Sequence, residues 1–467
     1  MQATELDFPI ETRIAEHLAS VTWSDLPAPS RESAVRAILW WLATGLEGMR
    51  EAHHATLLRY VQEQGGNAQA TILGSRVRTT AELAGLVNGR SGKAWEHEDK
   101  YWADETIGFG VGCCVVPAAI AVAQARGGVS GSELATAVAL AIDLEIRLLR
   151  PLGLGFVPGR AVANATFALG TYGAAVAGAK VLGLGAQGFL DALGLAHFQA
   201  SGNFQGQVEG RGVAVQAGIA VRNGVAAARM AAAGMPGPKG SLTGRCGLYA
   251  MHYPACTVEF DQIVERLGQD FLNVRLGFKG YPCGVVAHPV IDAVLAVRET
   301  LGGRAVRSID VFGAPSLSIM ASPIERKRAP ANVIEAQFSI PWATACAIRD
   351  GHFSISHYED AALADAELRR LAASVTVHML QDMRGTSVKL TLSDGAIVES
   401  PVVLASRGSP GNPLPTAEIE QILMRAAKQL KLKDASVQRA IALLREPQQL
   451  ADCGELMTLL GDAEDPA

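Results

Sequence analysis

SGSELATAVALAIDLEIRLLR (130–150) decides the class of fold. Ser130 and Glu133 match the S-x-x-E capping box, in which the hydroxyl accepts the N–H three residues on while the carboxylate reaches back to the first N–H. Behind them apolar residues recur at helical spacing. Outward from this stretch the same spacing predicts helices in AVRAILWWLATGLEGM (34–49), entered through Ser30-Arg-Glu-Ser33, and in ATFALGTYGAAVAGAKVLGL (165–184). It also predicts helices in AQGFLDALGLAHFQAS (186–201) and VQAGIAVRNGVAAARMAAAGM (215–235). These segments are rich in Ala and Gly and apolar on more than one face, which predicts a compact bundle with some helices enclosed. From Glu5 to about Val274 the pattern is overwhelmingly helical.

After Lys279 the pattern changes. YPCGVVAHPVIDAVLAVRETLGG (281–303) reads as a helix despite Pro282 and Pro289. SIDVFG (308–313), SVTVHML (374–380), TSVKLTLSDG (386–395) and AIVESPVVL (396–404) are β-branched and partly alternating, with Ser393-Asp394-Gly395 as a hairpin turn. Helical stretches at 338–351 and 358–373 interleave with them, which predicts an α+β unit. Helical period returns in TAEIEQILMRAAKQLKL (416–432) and ASVQRAIALLRE (435–446). The absence of a Ser/Gly linker predicts parts packed together, with ligand sites favoured where they meet.

The 467 residues are too many for one ordinary core, and 49% hydrophobic with 19% charged residues supports a large buried interior. A net charge of -5 gives no overall attraction to nucleic acid or an anionic membrane. The seven cysteines form neither a zinc spacing nor a disulfide framework, which points to a reducing compartment. The first residues, MQATELDFPIETRIAEHLAS, are acidic and amphipathic and do not read as a signal peptide. The long apolar stretches are interrupted by small residues, and a cytoplasmic, soluble protein is expected.

Two short stretches carry chemistry. Glu96-His97-Glu98-Asp99 packs three carboxylates and an imidazole together. Such a cluster is ordinarily a solvated turn. Crowded carboxylates also raise one another's pKa and can supply a base. Metal binding ranks lower, because oxygen-ligand loops alternate their ligands around a turn glycine. Lys279 lies between Phe278 and Tyr281, either as a snorkelling surface lysine or as a group holding a carboxylate or acting as a base. His288 follows on the expected helix, where a satisfied structural histidine is the ordinary outcome. Gly206–Gly212 (GQVEGRG) is glycine-rich but lacks Gly-Lys-Ser/Thr and a preceding strand, so a nucleotide loop is disfavoured. Arg211 could still anchor an anion. Tyr249, His252 and Tyr253 form a polar-aromatic loop that could move protons or merely edge a core. Signatures of serine hydrolases, zinc proteases and paired-cysteine redox sites are missing.

Taken together, these segments resemble the MmgE/PrpD family, which contains 2-methylcitrate dehydratase, cis-aconitate decarboxylase and iminodisuccinate epimerase. Asn88-Gly89 with Glu96–Asp99 resembles the family's NG…DFDD stretch, and Val116-Pro117-Ala118-Ala119 its VxPAA helix. Gly155-Phe156-Val157-Pro158 is similar to GFHP, and FKGYPCGVVAHPVIDAVLAV (278–297) and 338–351 also look like family segments. The resemblance implies a mainly α fold, with an all-helical domain from 1–279 and 412–467 and an inserted α+β domain over 280–411. It further implies a homodimer and a cofactor-free, metal-free site between the domains for a small anionic carboxylate. By position it carries the family's acid cluster to Glu96, Glu98 and Asp99, its lysine to Lys279 and a helix histidine to His288; Arg211 falls near a loop lysine. Tyr281 belongs to the same lysine stretch and joins the expected substrate-binding set.

The departures bear on the reaction. Family histidines are replaced around Phe109-Gly110-Val111-Gly112, at Val157 and at Gly284, and another alignment puts Lys100 or Asp104 in the first-aspartate position. Dehydration needs an acid for the departing hydroxyl as well as a base. Epimerisation needs only removal and return of one proton, with cations stabilising the enolate. The sequence therefore favours an isomerase of the iminodisuccinate epimerase type, catalysed by Lys279, Glu96, Tyr249 or His252. A dehydratase or decarboxylase is the second reading, and an inactive carboxylate-binding scaffold the third.

Overall fold

The computed structural model describes residues 7–102, 108–153 and 162–463. The capping box forms as read: Ser130 Oγ accepts the Glu133 N–H at 3.2 Å, and Glu133 Oε2 accepts the Ser130 N–H at 2.9 Å. The helix it starts, Gly131–Leu149, packs against Ala28–Gly48 and Ala165–Val181. Val215–Ala232 lies across Ala165–Val181 and Ala81–Lys93. Small residues allow this approach. A Cβ at Gly224 would stand 2.7 Å from the Thr171 carbonyl, so only glycine lets the two backbones come so close. The chain is mainly helical, and Ala165–Val181 is buried along nearly its whole length.

Two small sheets matter for the site. One orders Gly108–Phe109, Asp99–Trp102 and Leu276–Phe278, all antiparallel, with Asp99 opposite Phe278 and Lys100 opposite Gly277. The other orders Val375–Met379, Val306–Gly313, Thr386–Leu392 and Ile397–Glu399, with only the first pair parallel. Thr416–Gln429 packs on Ala28–Gly48, and Asp434–Arg445 packs on Thr416–Gln429. One apolar core gathers side chains from residues 14–278 together with 414–460. A second gathers residues 281–392 together with Trp102.

Several expected elements are shorter than predicted. The helix expected from Tyr281 begins at His288, after a 3-10 turn at Val285–Ala287, because Pro282 and Gly284 hold the preceding segment out of the helix. The 358–373 segment splits into Asp360–Leu363 and Ala366–Ala373, the latter capped by Asp365 Oδ1 at 2.9 Å from the Leu368 N–H. The last strand ends at Glu399, before Pro401. The first half is also not purely helical, since Asp99–Trp102 is a buried strand. No described helix is long and apolar enough to cross a membrane.

Candidate functional site

The helix Ala81–Lys93, capped by Thr80, ends in a turn that carries Glu96 at φ +52°. Few non-glycine residues adopt this left-handed backbone, and here a partner fixes it. Lys279 Nζ donates to the Glu96 carbonyl at 2.6 Å and to its Oε1 at 2.7 Å. The pairing of Asp99–Trp102 with Leu276–Phe278 makes this contact possible, because it sets Lys279 beside Glu96 and Glu98. Trp40 Nε1 donates to the His97 carbonyl at 2.9 Å, and His97 Nδ1 lies 2.8 Å from Glu47, so the imidazole faces away from the lysines.

Five charged side chains converge here. Glu98 Oε1 takes Lys100 at 2.7 Å, Lys93 at 3.0 Å and Lys279 at 3.3 Å, while Lys93 also pairs with Glu96 Oε2. The acid cluster is therefore buried rather than a solvated turn, and Lys279 is fully buried rather than snorkelling. Mutual pairing makes this burial tolerable. Three cations against two anions leave one positive charge in excess.

The protonation states follow from that surplus. Burial pushes both the Glu96 and Glu98 carboxyls up, and the Glu98 charge adds to this at Glu96, but the lysines outweigh these effects and both are held below the usual carboxylate range, Glu98 well below. Burial works against charge on Lys93, yet Glu96 and Glu98 leave its pKa raised. Lys279 is the cation left short. Burial pushes it down to about 8, Glu96 and Glu98 pull it back, and Lys100 and Lys93 add to the depression. Behind the cluster, Asp99 Oδ2 accepts the Gly112 N–H at 2.8 Å, at the start of the Gly112–Arg126 helix. Burial still raises it to about 7. Burial also holds Glu145 well above the normal range, and its Oε1 has no hydrogen-bond partner.

Lys93, Glu96 and Lys100 stand together in the lining of a cavity of about 910 Å³. Asn164, Thr166 and Gln207 add polar groups to the lining, and Val285, Met320 and Phe338 add apolar ones. Lys279 is not at the cavity surface; it holds Glu96 from behind. Family models match residues 12–261 (MmgE/PrpD N-terminal domain) and 281–444 (MmgE/PrpD C-terminal domain). The chain belongs to the MmgE/PrpD family. This MmgE/PrpD protein is 25% identical over 446 residues to human cis-aconitate decarboxylase, which covers 92% of this chain and 90% of the human protein.

Within this MmgE/PrpD protein the expected residues fall into three groups. Glu96, Glu98 and Lys279 touch one another, and Asp99 adjoins them. Tyr281 and His288 lie just beyond. Tyr281 donates to Asp292 Oδ1 at 2.5 Å, and His288 is pushed down to about 3 by burial, with the Lys279 charge adding to the effect. Arg211, Tyr249 and His252 stand apart from the cavity wall: Arg211 is exposed after the Gln205–Glu209 turn, Tyr249 donates to the Leu148 carbonyl at 2.8 Å, and burial lowers His252. Val157 and Asp104 lie outside the described residues. At Gly284 a Cβ would meet Met320 Sδ at 2.6 Å, and at Gly110 it would meet Thr166 and Glu98. Packing thus fills the space of both expected histidines. Sequence reasoning missed Lys93 as a site residue and weighed Lys100 only as an alignment alternative. The available signal was that these lysines bracket the acids in KAWEHEDK (93–100).

Proposed function

We propose that this protein is an enzyme that removes a proton from a carbon beside a carboxylate of a small di- or polycarboxylate. The observation that carries this reading is a buried Lys/Glu cluster with one surplus positive charge in the wall of a cavity. Lys93 and Lys100 would hold the carboxylate and stabilise the enolate-like charge that develops on it. Glu96, ionised and exposed to the cavity, would take the carbon-bound proton, while Lys279 positions Glu96 through its carbonyl and carboxylate. Lys100 Nζ lies 3.9 Å from Glu96 Oε1 and so on the same side of the substrate; return of a solvent proton to the opposite face would complete an epimerisation. The cavity lining has no histidine among its described residues, and this supports the isomerase over a dehydratase.

Family membership and likeness to cis-aconitate decarboxylase support a lyase-like role, and a decarboxylase is the second reading. In it the same cations stabilise the carbanion left when carbon dioxide departs, and a lysine ammonium protonates that carbon. We also take residues 1–279 with 412–467 as one domain and 280–411 as a second, in a homodimeric protein. The division of the apolar cores supports the domain reading.

The test is incubation with a panel of di- and tricarboxylates in deuterium oxide, followed by NMR. Deuterium entering a carboxylate-adjacent carbon with the carbon skeleton intact supports the isomerase; loss of carbon dioxide or water supports the lyase. Absence of exchange and of turnover throughout the panel, or full activity in both Glu96→Gln and Lys279→Met, overturns the proposal.

A further inference from the structure

The cavity is unlike a pocket for a purely polar acid. Besides the Lys93/Glu96/Lys100 cluster, most of its lining surface is apolar, with Val208, Val285, Ile319, Met320 and Phe338 among the contributors. Val162 is 83%, Val208 62% and Ile319 36% exposed, so three exposed large hydrophobics line this cavity. Two further charged groups of the lining have partners: Arg326 pairs with Glu335 at 2.7 Å, and Lys327 Nζ donates to the Phe338 carbonyl at 2.7 Å. Lys327 meets only a neutral carbonyl, so the lining carries this ammonium as well as the surplus charge of the Lys93/Glu96/Lys100 cluster, and the rest of its charge is paired.

Size points the same way. At about 30 Å³ per water, the cavity offers room for roughly thirty water-sized groups, and a succinate-sized diacid with about eight heavy atoms leaves most of it unfilled. Met320 and Phe338 also close the space that a side chain at Gly284 would enter, so an apolar surface stands where a polar one would otherwise project.

From these observations we infer that the substrate is an amphipathic carboxylate. Its acidic head sits against Lys93 and Lys100, and an aliphatic or aromatic arm of several carbons lies along the Val285–Met320–Phe338 wall and reaches the Val208/Ile319 mouth. This rests on the proposed function for the chemistry at the head, but the arm can be tested without turnover.

The experiment is isothermal titration calorimetry of the full chain with 2-alkylsuccinates from methyl to hexyl, which share one head group. Burial of each methylene is worth about fourfold in affinity when complete, so hexylsuccinate should bind between about thirtyfold and a thousandfold more tightly than methylsuccinate. The heat-capacity change should grow more negative along the series. In Ile319→Asp and Val208→Asp, each checked for native circular dichroism, the hexyl-to-methyl ratio should fall by more than tenfold. A ratio within threefold in the native protein overturns the inference, as does a ratio unchanged in both variants. So does a change in molecular mass by light scattering in those variants without a change in the ratio, which would mark the mouth as a contact between copies of the chain. The two readings fail separately. Deuterium exchange of methylsuccinate without tail preference leaves the proposed function standing, whereas tail-dependent binding without exchange of any member does the reverse.

Discussion

Glu98→Gln is the sharpest test of the charge cluster. Glu98 Oε1 receives three lysines, at 2.7, 3.0 and 3.3 Å. At an effective dielectric of about 20 these contacts are worth about 6 kcal/mol for the shortest and about 5 for the longest, before desolvation and the repulsion of Glu96 are set against them. Breaking a buried ion pair on one side costs about 3–5 kcal/mol net, and that is the loss expected at pH 6. The loss should depend on pH with a definite sign. The folded pKa of Lys279 lies near 8, below its ordinary 10.5, so the unfolded chain binds more protons in that window and stability rises with pH there. Removing Glu98 takes away one of the two charges that pull this pKa back up. The variant's window therefore opens below pH 8, and the variant gains on the native protein by up to about 1.4 kcal/mol per pH unit. Urea unfolding followed by tryptophan fluorescence from pH 6 to 9 measures both. A deficit under about 1 kcal/mol at pH 6, or one that stays constant across the range, would refute the reasoning.

Three further outcomes are expected. Asp99, raised from 3.8 to about 7, contributes stability that is full below pH 3.8 and lost as pH rises through 7, a change of up to about 4 kcal/mol; Asp99→Asn should flatten melting curves across that window. Affinity for succinate should weaken as pH rises through about 7 and further through about 8, because Asp99 gains a negative charge and Lys279 then loses its positive one, and calorimetry at pH 6 and 9 would show it. Ser130→Ala should cost about 1 kcal/mol in urea unfolding, through loss of the Glu133 N–H cap, and should leave the site unaffected.

Local signals made much of the fold legible. Capping residues, helical period and the Ser393-Asp394-Gly395 turn each act within a few residues, and the corresponding helices and hairpin formed. The Asp99–Trp102 strand escaped notice because Asp and Lys in a short segment read as solvated loop, and only its partner strand and the opposed lysines make its burial possible. The candidate site was half legible for the same reason. Glu96, Glu98 and Lys279 stood out as residue types, but nothing in the local pattern shows that Lys93 and Lys100 turn toward the same oxygens. Met320 and Phe338 are still less visible, since their place on the cavity wall depends on packing across the molecule.

The short strand pairing also sets an order of events during synthesis. Lys93 and Lys100 emerge together with Glu96, Glu98 and Asp99, two cations among three carboxylates. Lys279 follows 183 residues after Glu96, roughly ten to forty seconds later at ordinary ribosome speeds. Until Leu276–Phe278 docks, this stretch is short of positive charge. The strand that completes the sheet brings both the clamp on Glu96 and the third cation, so a polypeptide that stalls before it lacks the charge on which burial of the cluster depends.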